Sequence, residues 1–429
     1  YMRGVYVLLL ISLLGYTGRV SGQESVTITQ CYEWARANYP QIHQMGLIDQ
    51  TERYSLSNVG KAWLPQLSVS GKASYQSDVT KLPLDGDKIS SLLPGFEIPS
   101  LSKDQYQVVA QVDQTIWDGG STRSARALTR AEAIANREQL ESELYALNDR
   151  VNQIYFGCLL QDELIRQNAL LQKELQVNIE RIEAMMENGV ANQSDLESME
   201  VELLNARQNE IELKASRTVY RQMLATFINK PLTDQVVLKT PESPERSLST
   251  QINRPELRAL DAKSEWIETQ NKQVTAGLMP RIGAFVQGGY GRPGLNMLED
   301  SFEPYYVAGV RLSWNLGKLY TLKNDRRKIE VSRRQIDVQR ETFLFNTRLQ
   351  LLQQNTEIKK MTDLMRADDD IIRLRTSIKQ AAEVKLENGV ISVTDLIREI
   401  NAEDMARQTA AAHRVQRLMT IYNYMYTTN

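Results

Sequence analysis

The chain has 429 residues and a formal net charge of −2, with 51 lysines and arginines against 53 aspartates and glutamates. A chain of this length exceeds one ordinary core, so we expect two or three domains or one repeated architecture. The near-neutral charge argues against a nucleic-acid-binding protein, which would show a basic surplus or stripe. Modest glycine and proline contents also exclude a fibrous or wholly disordered chain.

The first segment, residues 1–22, is predicted to be a secretory signal peptide. Arg3 supplies a positive charge, the run from Val5 to Leu14 is short and apolar, and small residues precede a cut before Gln23. An N-terminal anchor helix is the alternative, although the run is short for a membrane helix. No later stretch holds eighteen consecutive apolar residues, so we expect no membrane-spanning helix further along.

A tandem duplication organises the remaining chain. Pro40, in ANYPQI, has a counterpart in Pro255, in INRPEL, and WLPQLSVSG has one in LMPRIGAFV. The segments IWDGG and SWNLG, and then ENGVANQSDL and ENGVISVTDL, follow in the same order. A repeat in constant order indicates one structural plan used twice. We predict a first repeat over residues 23–229, a proline-rich linker over 230–253 and a second repeat over 254–429.

Each predicted repeat contains two strands of about ten residues in which apolar and polar residues alternate, so that the two sets lie on opposite faces. The apolar sets are Leu67, Val69, Gly71, Ala73 and Tyr75; Tyr106, Val108, Ala110, Val112 and Ile116; Ile282, Ala284, Val286 and Tyr290; and Tyr306, Ala308, Val310, Leu312 and Trp314. The strand length suits a tilted transmembrane β-strand, and the aromatic residues near strand ends suit a membrane interface. A half-buried sheet of a soluble protein shows the same alternation and is the alternative.

Long helices are predicted to follow each pair of strands. From Ser121 to about Glu187 the chain has no proline and one glycine, Gly157, which predicts a helix of roughly 100 Å. Apolar residues recur at three-, four- or seven-residue steps at Leu164, Leu171, Leu175, Ile179, Ile182 and Met186, and at Ile371, Leu374, Ile378, Ala382 and Leu386. Narrow apolar stripes flanked by charges are typical of coiled coils. A coiled-coil scaffold would explain the helices, but not the strands inserted at the same place in both repeats.

The two ENG phrases predict the tips of two antiparallel helical hairpins. Asn188–Gly189 and Asn388–Gly389 are expected to end the preceding helices, because glycine and asparagine accept the left-handed conformation that stops a helix.

The helices after the tips are predicted to begin at the serine or threonine of each phrase. Ser194 and Thr394 are expected to be the N-caps, and Glu197 would complete a capping box with Ser194. Asp195 and Asp395 would then be the first helical residues, where the helix dipole favours a carboxylate. This structural role is one interpretation of the two aspartates.

The sequence carries no pattern typical of an enzyme or of a cofactor or metal site. Walker, GxSxG and HExxH motifs are absent. His43 and His413 have no ligand spacing around them. Cys31 and Cys158 lie in helix-like sequence and are expected to be buried apolar side chains rather than a disulfide. We therefore expect no catalytic residue, no cofactor and no metal.

Four strands per chain require more than one chain if they lie in a membrane. Four strands cannot close a barrel, and an open edge cannot stand in lipid. Two chains would supply eight strands with a filled interior, whereas three would supply twelve and leave a lumen. The polar residues that would line that lumen are Ser68, Ser70, Lys72, Gln107, Asp113 and Arg311.

Over nearly all of its mature length the chain resembles the TolC family of outer-membrane efflux and secretion channels. The resemblance rests on NYP and NRPELRAL, on LPQLSVSG before a strand, on QTIWDGGSTRS and LSWNLGKLYTLK after strands, and on the two hairpin phrases. It implies a mainly α-helical chain with a small β part. Three such chains would form a twelve-stranded barrel in the outer membrane and a twelve-helix tunnel in the periplasm, without enzymatic activity.

The resemblance also implies partners. Gly189, Val190, Gly389 and Val390 would form hairpin tips that dock a periplasmic adaptor, also called a membrane fusion protein. The adaptor would join an inner-membrane pump of the RND or ABC type, which supplies the energy. The alternative function is a coiled-coil structural or adaptor protein of the envelope, although an adaptor would carry one hairpin rather than two.

The resemblance finally implies an entrance built from charged residues. Asp195 and Asp395 match carboxylates near the closed periplasmic entrance, where three copies would form rings of like charge. Arg398 stands where the best-known pattern has an aspartate, and Glu399 beside it is a candidate substitute. Ile391 stands where that pattern has a gating arginine, so we expect no lock of that kind. Arg398 could instead pair with Asp195 of a neighbouring chain.

Overall fold

The structure of the protein is a computed structural model that describes residues 25–80, 101–243, 249–296 and 299–429. The predicted signal peptide lies outside these residues. The helices longer than one turn are α1 (Ile28–Asn38), α2 (Gln44–Gly60), α3 (Ser121–Tyr145), α4 (Leu147–Glu187), α5 (Gln193–Ile228), α6 (Pro255–Ala276), α7 (Lys318–Glu387) and α8 (Val393–Thr428). The strands are β1 (Ser25–Val26), β2 (Gln66–Tyr75), β3 (Asp104–Trp117), β4 (Val237–Leu238), β5 (Arg281–Arg292) and β6 (Glu303–Ser313).

The chain forms two compact units, and each is assembled from separate segments. One unit comprises the described residues up to His43 together with Leu140–Pro255 and Thr342–Asn429. The other comprises Gln44–Gln139 and Glu256–Glu341. Each unit therefore contains segments from both predicted repeats.

The four long strands of the second unit form one antiparallel sheet in the order β2-β3-β5-β6. The central pair, β3 and β5, joins a strand of the first predicted repeat to a strand of the second. The register shifts once, at a bulge between Thr115 and Trp117. In the first unit, β1 and β4 form a separate parallel pair.

The register brings the predicted apolar residues of all four strands onto one face. One row across the sheet consists of Leu67, Val112, Val286 and Ala308. Leu67 is 71% exposed and Val286 is 55% exposed, so this apolar face is open in the single chain. The opposite face includes a row through Gln111, which confirms the predicted alternation.

The predicted helix over 121–187 is present as two helices, α3 and α4, which meet at Ala146. Ala146 keeps helical backbone angles, φ −61° and ψ −17°, so the interruption is local. Gly157 does not end the helix. A Cβ atom at this position would lie 2.5 Å from the ring of Tyr220. The glycine therefore permits a close approach between α4 and α5.

The core of the first unit surrounds Tyr155, which α4 buries completely. The Tyr155 hydroxyl lies 2.9 Å from the carbonyl oxygen of Val26 and 2.7 Å from that of Lys239, so it links α4 to the chain at β1 and β4. Cys31 and Cys158 are buried in the same cluster as free thiols, as predicted.

The predicted coiled-coil stripes are only partly covered by the chain itself. A core cluster buries members of both stripes, namely Leu175, Ile179, Ile182, Ala382 and Leu386. In contrast, Ile371, Leu374 and Ile378 on α7 are each about half exposed. The part of the α7 stripe farther from the hairpin tip, Ile371 to Ile378, therefore lacks a packing partner among the described residues of one chain.

Candidate functional site

The two hairpin tips have the same turn geometry. Gly189 has φ 71° and Gly389 has φ 69°. At the first tip the Val190 amide donates to the carbonyl of Met185 at 2.9 Å, and the Gly189 amide donates to that of Met186 at 2.9 Å. The second tip repeats both bonds at 2.8 and 2.9 Å. This pair of bonds is a Schellman motif, which confirms the predicted helix ends.

Each tip exposes one branched apolar side chain. Val190 is 57% exposed and Val390 is 69% exposed. The next residues, Ala191 and Ile391, pack instead against the core cluster between the helices. The tips are therefore fixed on the inside by packing and present a valine on the outside.

The helices after the tips begin two residues earlier than predicted. Their N-caps are Asn192 and Ser392, not Ser194 and Thr394. The Asn192 side chain accepts a hydrogen bond from the Asp195 amide at 3.1 Å, and the Asp195 carboxylate accepts one from the Asn192 amide at 3.1 Å. An aspartate at the third position can thus close a capping box as glutamate does, a possibility that the sequence interpretation overlooked.

Asp395 closes the second capping box. Its carboxylate accepts hydrogen bonds from the Ser392 hydroxyl at 2.8 Å and from the Ser392 amide at 3.2 Å. These bonds, aided by the nearby Arg398 guanidinium, hold the pKa of Asp395 below its ordinary value. Asp395 is therefore ionised at neutral pH while it serves as a structural cap.

Arg398 pairs within its own helix. Its guanidinium lies 3.3 Å from the carboxylate of Asp395 and 3.3 Å from that of Glu399. Glu399 also faces Arg375 of α7 at 3.4 Å. The structure thus brings Asp395, Arg398 and Glu399 together. Among the described residues of one chain, Asp195 forms no ion pair with Arg398.

We expect alanine at either tip glycine to loosen the turn. Gly189→Ala places a side chain in the left-handed region, which costs roughly 1 kcal/mol although the surrounding space is open. Hydrogen exchange of residues 184–192 should become about fivefold faster. The control is Gly46→Ala, which has open space and lies inside α2 without a positive φ. An unchanged exchange rate in Gly189→Ala would contradict the prediction.

The sequence interpretation missed a buried ionic cluster between α4, α7 and α8. Lys379 contacts the carboxylate of Glu174, and lies 2.6 Å from that of Glu403. Glu403 is 2% exposed, accepts a hydrogen bond from Thr376 at 2.6 Å and pairs with Arg407. Buried charges require such pairing. The sequence shows only the four-residue spacing of Glu403 and Arg407, which is typical of an ion pair on a helix. It does not show the contact with Glu174, because Glu174 lies on the other hairpin.

Two other kinds of site are absent from the described residues. No group of three or more His, Cys, Asp or Glu residues in this part of the chain is arranged to hold a metal ion. None of its helices combines the length and the apolar composition that crossing a membrane requires. The hairpin tips, the ionic cluster and the open sheet face are therefore the candidate functional surfaces.

Comparison with known proteins extends these observations. Residues 31–230 match the model of a family described as outer membrane efflux protein. No curated protein matches the chain. A solved structure of CusC, described with transmembrane channel formation, is similar with TM-score 0.66 and 14% identity, over 94% of this chain and 92% of that one.

Two outer membrane channels show the same likeness. CmeC of Campylobacter jejuni has TM-score 0.62 and 12% identity, over 94% of this chain and 85% of that one. The open state of MtrE of Neisseria gonorrhoeae has TM-score 0.62 and 14% identity, over 94% and 88%. The predicted fold, mainly helical with a small sheet, is confirmed. Residues 31–230 thus match the outer membrane efflux protein family, and over nearly its whole length the chain has the fold of these channels.

Proposed function

We propose that the chain is the outer-membrane channel component of a tripartite efflux pump or a type I secretion system. It is a passive conduit from the periplasm to the outside and performs no chemistry. The observation that carries the proposal is the sheet, because one face is apolar and open while the other is polar. Lipid on the first face and water on the second would satisfy both. The family match over residues 31–230 supports the same assignment.

The tyrosines of the open face support a membrane position. Tyr75, Tyr106, Tyr290 and Tyr306 lie on successive strands, and each is displaced by two residues from its neighbour in the register. Strands of a membrane barrel are tilted, so a level aromatic band must run diagonally across the sheet. The diagonal tyrosines fit one membrane interface.

The open edges of the sheet support a homotrimer. In the described residues, β2 and β6 each have one strand neighbour and one unpaired side. An unpaired strand edge is not tolerated in lipid, so β6 of one chain would pair with β2 of the next. Three copies give twelve strands, which is enough to leave a water-filled lumen.

Exposed apolar stripes on two helices support the same contact between neighbouring chains. Val201, Leu204 and Ile211 on α5 are 53–69% exposed, and α7 carries its own uncovered stripe. Leu204 lies fifteen residues after Gly189, and Leu374 of α7 lies fifteen residues before Gly389. The two stripes therefore stand at the same distance from their tips.

The charges that flank these two stripes are complementary. Residues 195–212 of α5 include six carboxylates and one arginine, whereas residues 373–385 of α7 include three cations besides the buried Lys379, and one carboxylate. Such complementarity fixes register and partner more than it adds affinity. A second copy of this chain is therefore the occupant that fits both stripes.

The alternative, a coiled-coil scaffold or adaptor of the envelope, accounts for less of the structure. Helical packing alone explains the buried stripes, but leaves the apolar sheet face in contact with water. An open apolar face of this extent marks an interaction surface. We also keep the repeat boundaries, 23–229 and 254–429 around a 230–253 linker, as part of the proposed channel.

The hairpin tips are the proposed docking surface for a periplasmic adaptor protein, which in turn joins an RND or ABC pump of the inner membrane. Val190 and Val390 are exposed there, and Gly189 and Gly389 hold the turns that present them. The matched geometry of the two tips would let one kind of adaptor hairpin contact both.

The proposed entrance is formed by the charged residues beyond the tips. Asp195 and Asp395 would form two rings in a trimer, with Arg398 and Glu399 beside the second ring. Arg398 is 69% exposed at its side chain and is free to turn from Asp395 to Asp195 of the next chain. Such a contact would narrow the entrance.

We expect Arg398→Ala to raise the conductance of the channel in planar bilayers. Removal of the guanidinium removes the proposed contact and leaves the acidic rings more attractive to cations. The matched control is Arg366→Ala, which removes an exposed cation of α7 that pairs with Asp363 and lies outside residues 373–385. Equal conductance of Arg398→Ala and the wild type would count against the contact.

The mass of the detergent-extracted protein tests the proposed function. Light scattering corrected for bound detergent should give three chains per particle, and the particle should conduct ions in a planar bilayer. A monomer that stays soluble without detergent would overturn the channel and favour the scaffold.

A further inference from the structure

A second acidic residue adjoins the buried ionic cluster. Asp404 follows Glu403 on α8, and its carboxylate accepts a hydrogen bond from Gln408 at 2.6 Å. Asp404 lies fifteen residues after Gly389, and Glu174 of α4 lies fifteen residues before Gly189. The cluster therefore connects the two hairpins at a position equally far from both tips.

The cluster is unbalanced in charge when all of its groups are ionised. Glu174, Glu403 and Asp404 contribute three negative charges, and Lys379 and Arg407 contribute two positive charges. Lys379 and Arg407 both pair with Glu403, and Lys379 also pairs with Glu174. Asp404 is left with a neutral hydrogen-bond partner, the Gln408 amide. The negative charge in excess is therefore placed on Asp404.

The surroundings of the two neighbouring carboxyls act in opposite directions. Burial raises the pKa of Asp404 to about 6; Gln408 and Arg407 oppose this, whereas the charges of Glu174 and Glu403 add to it. Burial would also raise the pKa of Glu403, but hydrogen bonds from Lys379, Thr376 and Arg407 hold it below its ordinary value. Asp404 therefore takes up a proton at mildly acidic pH while Glu403 stays ionised.

We propose that Glu174, Lys379, Glu403, Asp404 and Arg407 form a proton-sensitive joint between the two hairpins, which is tighter when Asp404 is protonated. At neutral pH the joint holds an uncompensated carboxylate, whereas near pH 5 two carboxylates face two cations. An acid whose pKa is raised in the folded state stabilises that state as pH falls through this pKa, and the stabilisation is lost as pH rises. For Asp404 this stabilisation is complete only below the ordinary aspartate pKa, decreases as pH rises above it and is lost once the pH exceeds about 6.

The joint bears on the proposed channel, and this step depends on the proposed function. Any widening of the entrance that moves α7 and α8 away from α4 must break the contact between Lys379 and Glu174. Mild acid would therefore favour the hairpin arrangement seen in this structure. At neutral pH, α7 and α8 would separate from α4 more easily.

Hydrogen exchange of the full-length protein tests the joint at fixed pH, so that the intrinsic exchange rate cancels. The probe is the protection of residues 370–380 and 400–410 in the wild type and in Asp404→Asn, which keeps the hydrogen-bonding shape without the charge. At pH 7.5 we expect about tenfold slower exchange in Asp404→Asn than in the wild type. At pH 5 the difference should be smaller, because Asp404 of the wild type is then mostly protonated in the joint. Equal exchange at pH 7.5 would overturn the joint.

Two variants make the test specific. Glu174→Gln removes one of the charges acting on Asp404, so the wild-type pH midpoint of protection should move to lower pH. Asp363→Asn removes an exposed carboxylate of α7, 74% accessible and paired with Arg366, and should leave the midpoint unchanged. A midpoint that is equal in all three proteins would also overturn the joint. Conductance is measured separately, so a conducting protein without the exchange difference would retain the channel and lose the joint.

Discussion

Val286→Arg should prevent stable assembly of the protein in the membrane. Val286 lies in the middle of β5, in a row with Leu67, Val112 and Ala308, and its side chain is 55% exposed. If this face meets lipid, an arginine near the bilayer centre costs roughly 2–4 kcal/mol per chain. We expect the amount that resists alkaline washing of outer membranes to fall at least about tenfold.

The neighbouring residue offers a matched control. Gln287 is next along β5, faces the opposite side of the sheet and lies beside Gln111 and Val307 in the register. Gln287→Arg introduces the same charge toward the proposed lumen, so membrane recovery should stay close to that of the wild type. If both variants were lost equally, the assignment of lipid to the apolar face would be wrong.

Lys379→Met should strongly destabilise the packing of the two hairpins. The Lys379 side chain is 12% exposed and bridges Glu174 to Glu403, which is itself 2% exposed. Removing one partner of a buried pair costs about 3–5 kcal/mol, and the remaining contacts of Glu403 with Thr376 and Arg407 favour the lower end. Chemical unfolding in detergent, followed by circular dichroism, should show this loss.

Two comparisons test the cause of that loss. Lys360→Met removes an exposed lysine of the same helix, which pairs with Glu357 at 2.7 Å, and should change stability by less than about 0.5 kcal/mol. The double variant Lys379→Met, Glu403→Leu should recover part of the stability, because no buried carboxylate is left without a cation. A double variant less stable than Lys379→Met would show that the charge is not the cause.

The sequence was sufficient where one short segment determines its own structure. Asn188–Gly189 and Asn388–Gly389 predicted the helix ends, because the left-handed turn and its bonds involve only neighbouring residues. The alternation in the strands predicted which residues share a face, because the period of a strand is two. The caps failed by two residues, since Ser194 and Asn192 are both good caps and the contact of Asp195 decides between them.

The sequence was insufficient where distant segments meet. The α7 stripe was predicted as one seam, yet Ala382 and Leu386 are buried while Ile371 and Ile378 stay about half exposed. No local pattern distinguishes the two parts, because the difference depends on which helix lies opposite. The contact of Lys379 with Glu174 was missed for the same reason, since a lysine and a glutamate far apart in sequence carry no sign of pairing.

The two unlike edges of the chain determine how assembly would proceed. In the described residues a single chain has one unpaired strand side on β2 and one on β6; a pair of chains in the proposed ring would have the same, whereas the closed ring would have none. The last chain to join therefore forms two contacts at once, and incomplete rings gain much less than complete ones. In a cell that makes wild-type and edge-damaged chains equally and mixes them at random, only about an eighth of the proposed trimers would be wholly wild type. Damage to one edge would therefore be dominant.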